Sequence, residues 1–327
     1  MSFGVDGSWG VEWWIRAAVG MAWLWALARL LASRGNHAWI RILTLLALIA
    51  ALPWCWHGGT DGREWALWKA GGIGTTQAWI IAWAIGATVM LLRRAAGWVR
   101  IRSWCRAGMA GMQVGVWREA WNDAASATGV DPDIEVRVVA ELRSPAVWVD
   151  KRVWLLIPAE AASWSADACR RVCLHEAGHV AGGDAWLHRV WMVIDVLQWW
   201  NPLWWGLRAR MELELEKLAD GWVVRADRGI SREYVRDLLD CVESGMKGVA
   251  SWGGSGGLEE RVSFLLRPRR AEDGWGACLA MILAAMSVVG LAVLFRGPAP
   301  ARMDAALVRD AEWRMAANPF PATAETD

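Results

Sequence analysis

The sequence predicts a mainly α-helical membrane protein, with four transmembrane helices and an α+β domain on the cytoplasmic side between the third and the fourth. Three observations predict it. Four apolar runs, Trp13 to Leu31, Trp39 to Trp56, Ala78 to Trp98 and Gly276 to Phe295, each approach the roughly 20 residues that cross a bilayer as a helix. Arg34 lies between the first two runs with Arg29 and Arg41 at their facing ends, Arg93, Arg94, Arg100, Arg102 and Arg106 stand at or after the end of the third, and Arg267, Arg269 and Arg270 before the fourth. In the loop between the second and third, Asp61, Arg63, Glu64 and Lys69 cancel. Because cytoplasmic loops carry the excess of Lys and Arg, both termini are expected outside and the long segment inside. That segment, finally, mixes helical and strand-like patterns and carries most of the polar motifs.

The resulting division places three spans in residues 1–98, the cytoplasmic domain in 99–275, the fourth span in 276–296 and a short external tail in 297–327. Arg16 and Arg29 lie near the ends of the first run, where long side chains can snorkel. The N-terminus carries Asp6 and Glu12 and lacks a positive n-region, so it does not read as a cleaved signal peptide. Hydrophobic residues make up 55% of the chain, which fits a lipid bilayer as one partner. With 35 Lys and Arg against 34 Asp and Glu, no overall field asks for nucleic acid, and the basic clusters are explained by topology. Tryptophan, 29 against one Tyr and four Phe, fits interfacial surface or a lineage-wide preference and carries no functional weight.

Within the domain, Gly115 to Gly129 reads as a helix ended by glycine. After the Asp131-Pro132-Asp133 turn, IEVRVVAEL alternates as a strand does, and AVWV and VWLLIP flank Asp150-Lys151-Arg152 as a hairpin. Ser165 and Asp167 suit the start of a helix, and Gly182-Gly183 its bend or end. The run Trp186 to Trp205 is interrupted by His188, Arg189, Asp195 and Asn201-Pro202, so it reads as a helix on the membrane surface followed by a second helix from about Pro202. On that second helix Glu212, Glu216 and Asp220 share a face, with Glu212 and Glu214 as candidates for plain solvated acids. Ser251 to Gly257 reads as a flexible loop.

The chemistry sits in "CLHEAGHVAGGDAW", Cys173 to Trp186. The chain has five histidines, and two of them stand four apart here, so His175 and His179 aim two imidazoles at one point on a helix face. Glu176 stands beside that point, the arrangement in which two histidines hold Zn2+ and a carboxylate acts as the base. The competing reading is two surface histidines on an amphipathic helix. A catalytic zinc site needs a third protein donor, and "ELEKLAD" supplies Glu216, with Asp220 one turn on to receive a hydrogen bond from a ligand imidazole. The six cysteines form no CxxC; Cys169 and Cys173, one turn apart, are a weak candidate for a second metal site and otherwise reduced thiols.

The order HEAGHVAGGDAW, then WWNPLWWGLRARMELELEKLAD, resembles the BlaR/MecR-type membrane metallopeptidases, the family of beta-lactam sensor-transducers. The matching residues are His175, Glu176, His179, Asp184, Asn201, Pro202, Glu216 and Asp220, and SPAVWVDKRVWLLIP resembles the family's strand pair before the catalytic helix. The resemblance implies a zincin-like peptidase domain in a bacterial cytoplasmic membrane, with Glu176 as base, His175, His179 and Glu216 as zinc ligands, and Asp184 and Asp220 behind them. A substrate chain would lie along Ala146, Val147, Trp148 and Val149. The implied substrate is a cytoplasmic protein, either a winged-helix transcriptional repressor or the chain itself. Ala219 stands where the family has Cys, and His188 where it has Asn. Residues 296–327 after the last run are not expected to hold the family's penicillin-binding sensor domain, so a separate sensor protein is an expected partner. Two alternatives stay open: a quality-control peptidase like the CAAX-prenyl-protease and HtpX enzymes, which share the HExxH and ExxxD logic, and a non-catalytic receptor with a structural metal.

Overall fold

In the computed structural model, residues 17–25, 27–28, 37–51, 75–107, 114–226, 231–243, 254–266 and 286 are described. The fourth apolar run, Met286 apart, and the tail lie outside them. The chain is mainly helical. Ahead of the sheet come α1 (His37–Ala51), α2 (Thr75–Ala107) and α3 (Val114–Thr128). The strands are β1 (Ile134–Val139), β2 (Ala146–Val149) and β3 (Val153–Pro158). Then follow α4 (Ala166–Gly182), α5 (Asp184–Leu197), α6 (Pro202–Ala226), α7 (Ser231–Glu243) and α8 (Gly254–Leu266).

Among the described residues one helix is long and apolar enough to cross a membrane, Gln77–Ala107, with 6% of its apolar window buried. The four-span layout is therefore represented by this helix alone. The second apolar run forms α1, 15 residues long, and its face of Trp39, Ile40, Leu43, Leu46 and Ala47 is buried against Leu187, Trp191 and Ile194 of α5 and Trp204, Leu207 and Met211 of α6. Leu45 and Ile49 on its other side remain exposed, so one face of the helix packs on protein and the other carries apolar side chains outward. The third run does not stop at Trp98. Nothing from Val99 to Ala107 breaks a helix, and α2 continues through its arginines, with Arg102 stacked 4.7 Å over the Trp98 ring. The boundary between 98 and 99 thus falls inside a continuous helix, whose Ile101, Trp104 and Cys105 pack on Val139 and Leu156 of the sheet.

The sheet has the order β1-β3-β2, with β1 parallel and β2 antiparallel to β3. The hairpin read around Asp150 is present, closed by Asp150 N–H donating to Arg152 O. Its inner face joins Trp117 and Trp121 of α3, Cys169, Cys173 and Ala177 of α4, and Tyr234 and Leu238 of α7 in one apolar core. Among the described residues β2 has no strand on its other side, and this edge faces α4.

The start and stop of α4 follow the sequence. Ser165 Oγ accepts from Ala168 N–H at the N-cap, and Gly183, at φ 71, takes the left-handed conformation that ends the helix. Within α4, a Cβ on Gly178 would lie 2.7 Å from the Trp222 ring and 3.2 Å from Ala219 Cα, so the bare backbone between the two histidines is what lets α6 approach. α5 ends at Leu197 and α6 opens at Pro202, with Asn201 Oδ1 accepting from Leu203 N–H. Two readings are corrected. Glu212 and Glu214 are not solvated acids: Glu212 pairs with Arg208, and Glu214, 3% exposed, with Arg210 and Lys217. Residues 254–257 are not loop but the first turn of α8, because Leu258, Val262 and Leu265 dock in the core and override the glycines' poor propensity.

Candidate metal centre

Helix α4 and helix α6 cross where Gly178 meets Ala219, and this brings the histidines of one over the acids of the other. His175 Nε2 and His179 Nε2 lie 3.2 Å apart. Glu216 closes the triangle, with Oε2 3.5 Å from His175 Nε2 and Oε1 3.7 Å from His179 Nε2. Four ligands at ~2.0–2.1 Å around tetrahedral zinc are separated by ~3.3–3.4 Å, so this donor triangle has the size and the chemistry of a zinc site. Among the described residues it is the one group of three such donors that converges.

The far side of each imidazole is held by an acid, as the sequence led one to expect. His179 Nδ1–H donates to Asp184 Oδ2 at 2.7 Å. His175 Nδ1–H is shared between Asp220 Oδ1 at 3.1 Å and the Tyr234 hydroxyl oxygen at 3.0 Å. Both rings are thereby fixed in the tautomer that leaves Nε2 for a metal. Asp184 and Asp220 are 2% and 0% exposed, and such buried acids persist only with partners.

Electrostatics points the same way. Burial opposes the charge on Glu216, but Arg261 and the two histidines outweigh it and hold its carboxyl down at about 2. Asp220 is likewise lowered: burial works against its charge, and Arg261 and His175 prevail. For His175 burial favours the neutral ring, yet the bonds to Asp220 and Glu216 push its pKa up to about 10. The pocket is thus built to keep its acids ionised and to favour positive charge between them.

Glu176 is not one of the converging donors. Its Oε2 accepts from Val147 N–H of the edge strand at 3.0 Å, and burial raises its pKa, which the neighbouring histidines only partly offset. Asp150 bonds toward Arg152, so alternate residues Val147 and Val149 turn their main chain to the free edge. There Val149 O accepts from Arg189, leaving Val147 O and Val149 N–H as edge groups beside the centre. Residues 146–149 line a cavity of about 1080 Å³ together with His175, Glu176, His179 and Glu216, and it reaches Trp98 and Ile101 of α2.

The structure thus brings His175, Glu176, His179, Asp184, Glu216 and residues 146–149 around one cavity, with Asp220 directly behind His175. Cys169 and Cys173 do not form a second site. Each thiol lies on a carbonyl, of Trp164 and Trp117 respectively, and burial raises both pKa values, that of Cys169 to about 11. His188 donates from Nδ1 to Asp184 O at 2.8 Å, outside the donor triangle. Two residues were missed, Tyr234 and Arg261. Tyr234 donates to Asp220 Oδ1 at 2.8 Å, and Arg261 bonds both Asp220 and Glu216. The one available signal was that Tyr234 is the only tyrosine in a chain that otherwise uses tryptophan. Behind Asp184, Arg41 of α1 donates to Gly182 O at 2.7 Å and His37 Nε2 lies 3.6 Å from Asp184 Oδ1.

The family described as BlaR1 peptidase M56 matches residues 70–265, which takes in α2, the sheet and every residue of the donor triangle. The chain belongs to this family. It is also similar to the Regulatory protein BlaR1 of Bacillus licheniformis, 27% identical over 99 residues. That stretch is 30% of this chain and 16% of the relative's length. The resemblance drawn from the HExxH, Asn-Pro and ExxxD motifs is therefore upheld, and the sensor-transducer family is favoured over the CAAX-protease and HtpX enzymes.

Proposed function

We propose that this M56 protein is an integral-membrane, zinc-dependent endopeptidase of a signalling pathway, cutting a cytoplasmic protein. The observation that carries the reading is the convergence of two imidazole Nε2 atoms and one carboxylate, each imidazole backed by a buried acid, beside a further carboxylate that is not a donor. His175, His179 and Glu216 would hold zinc, leaving a fourth position open. Bound there, zinc supplies a Lewis acid and a water of lowered pKa. Glu176, steadied at Oε2 by Val147 N–H, takes a proton from the attacking water and returns it to the leaving amine. The substrate lies extended on β2, exchanging main-chain bonds with Val147 O and Val149 N–H.

Purified full-length protein is expected to hold about one zinc per chain, and His175→Ala combined with Glu216→Ala to lose it. Elemental analysis decides this, and unchanged zinc in the double variant would remove the assignment. The proposed substrate is a winged-helix repressor, with the chain itself as the second target. Fragments in cells carrying wild type or the double variant separate them from a quality-control role, in which fragments of membrane proteins would appear instead. A separate sensor protein is the proposed source of the signal.

The arginine clusters support a multi-pass protein of a bacterial cytoplasmic membrane with its catalytic domain inside and both termini outside. Reporter fusions after Gly74 and at the C-terminus are expected to report an external location, and one near Ser251 an internal one. The reversed pattern would rule out cytoplasmic substrates.

A further inference from the structure

Glu216 and Asp220 stand four residues apart on α6, so their carboxylates emerge one turn apart on the same face. A single guanidinium spans both. Arg261 of α8, 2% exposed, donates from Nε to Asp220 Oδ2 at 2.9 Å and from Nη2 to Asp220 Oδ1 at 2.7 Å. Its remaining terminal nitrogen, Nη1, lies 2.9 Å from Glu216 Oε2. The two-pronged contact with Asp220 fixes the plane of the guanidinium, and that fixes where Nη1 meets Glu216. Asp220 is itself immobilised by Tyr234 and His175. The position of Glu216 Oε2 is therefore set by a rigid chain of contacts from three helices, α4, α7 and α8, and with it the carboxylate faces both imidazoles, Oε2 3.5 Å from His175 Nε2 and Oε1 3.7 Å from His179 Nε2.

A carboxylate can meet a metal through one oxygen or both, and the second mode fills a position that hydrolysis needs for water. We propose that Arg261 is a positioning residue, which holds the Glu216 carboxylate in one orientation toward the two imidazoles and so sets how many of its oxygens a metal there would meet. The inference rests on the zinc reading above. Lysine could not replace arginine here, because an ammonium is a point charge and lacks the planar fork that holds two carboxylates in fixed relation. Removing the clamp frees Glu216 to turn, which alters the number of oxygens around the metal as well as its affinity.

The test uses the full-length protein in detergent, with zinc and cobalt(II) alone as probes. Wild type is expected to give the intense visible absorption of four-coordinate cobalt. Arg261→Lys and Arg261→Met are expected to bind zinc ~10–100-fold more weakly and to give a several-fold weaker cobalt band per metal bound. Arg261→Met leaves Asp220 without its cation and can fail to fold; Arg261→Lys keeps a positive charge against Asp220, and its result then decides. A lower melting temperature with wild-type zinc affinity and an unchanged cobalt band would make Arg261 merely structural and overturn the proposal. If wild type itself took up no zinc, the metal reading would fall and this inference with it. Normal binding by wild type with unchanged variants sinks the inference alone.

Discussion

Glu176→Gln is expected to keep its zinc and to lose peptide hydrolysis by ~10²–10⁴-fold, the range that a positioned proton acceptor contributes. Glutamine has the same shape, and its amide oxygen can still accept from Val147 N–H, so the edge strand and α4 should stay in register. What it lacks is an oxygen that can take a proton and hand it on. Because Glu176 stands outside the donor triangle, its loss should not weaken the metal site, in contrast to His175→Ala with Glu216→Ala. Zinc content by elemental analysis and cleavage of the target in cells measure the two effects separately. Intact signalling by a zinc-loaded but hydrolytically dead Glu176→Gln would favour the receptor reading over the enzyme.

How far the site could be read from the sequence follows from distance along the chain. His175 and His179 stand one turn apart on one helix, and Glu216 and Asp220 one turn apart on another, so helical periodicity predicts that each pair shares a face; joining the pairs rested on zinc's need for a third donor, and Asp184 on the family resemblance. The alternation in β1 and the hairpin around Asp150 are equally local. Tyr234 and Arg261 lie 14 and 41 residues from the Asp220 they contact, on helices whose own patterns say nothing of a metal. Arg261 was further hidden by Gly254, Gly256 and Gly257, which read as loop although tertiary packing makes the segment helical. The opposite error affected Glu214. In "ELELEK" a charged residue looks solvated, yet Arg210 and Lys217 close over it and leave it 3% exposed.

Asp195→Asn is expected to cost about 3–5 kcal/mol of stability, because it removes the shared anion from a buried group of cations. The Asp195 side chain is 0% exposed and pairs with both Arg94 of α2 and Arg208 of α6, while Oδ1 accepts from Trp204 Nε1 at 2.9 Å. Arg208 retains Glu212, but the Arg94 guanidinium, whose Nε already has no hydrogen-bond partner, would be left facing it. Arg94→Met combined with Asp195→Asn should therefore recover part of the loss, since the uncompensated cation goes as well. The recovery appears as a coupling energy in a double-mutant cycle measured by thermal unfolding in detergent. Wild-type stability of Asp195→Asn would show that the cluster does not hold the helices together. The consequence reaches the metal centre through α5. Trp83 Nε1 of the membrane-crossing candidate α2 donates to Leu197 O, and Trp199 Nε1 donates back to Trp83 O, so α2 is pinned to the end of α5 next to Asp195. The other end of α5 begins at Asp184, which holds His179. Weakening the Arg94–Asp195 junction should therefore lower zinc affinity along with melting temperature, although neither residue is one of the donors. A loss of stability with zinc affinity unchanged would mean that α5 does not transmit the position of α2 to the site.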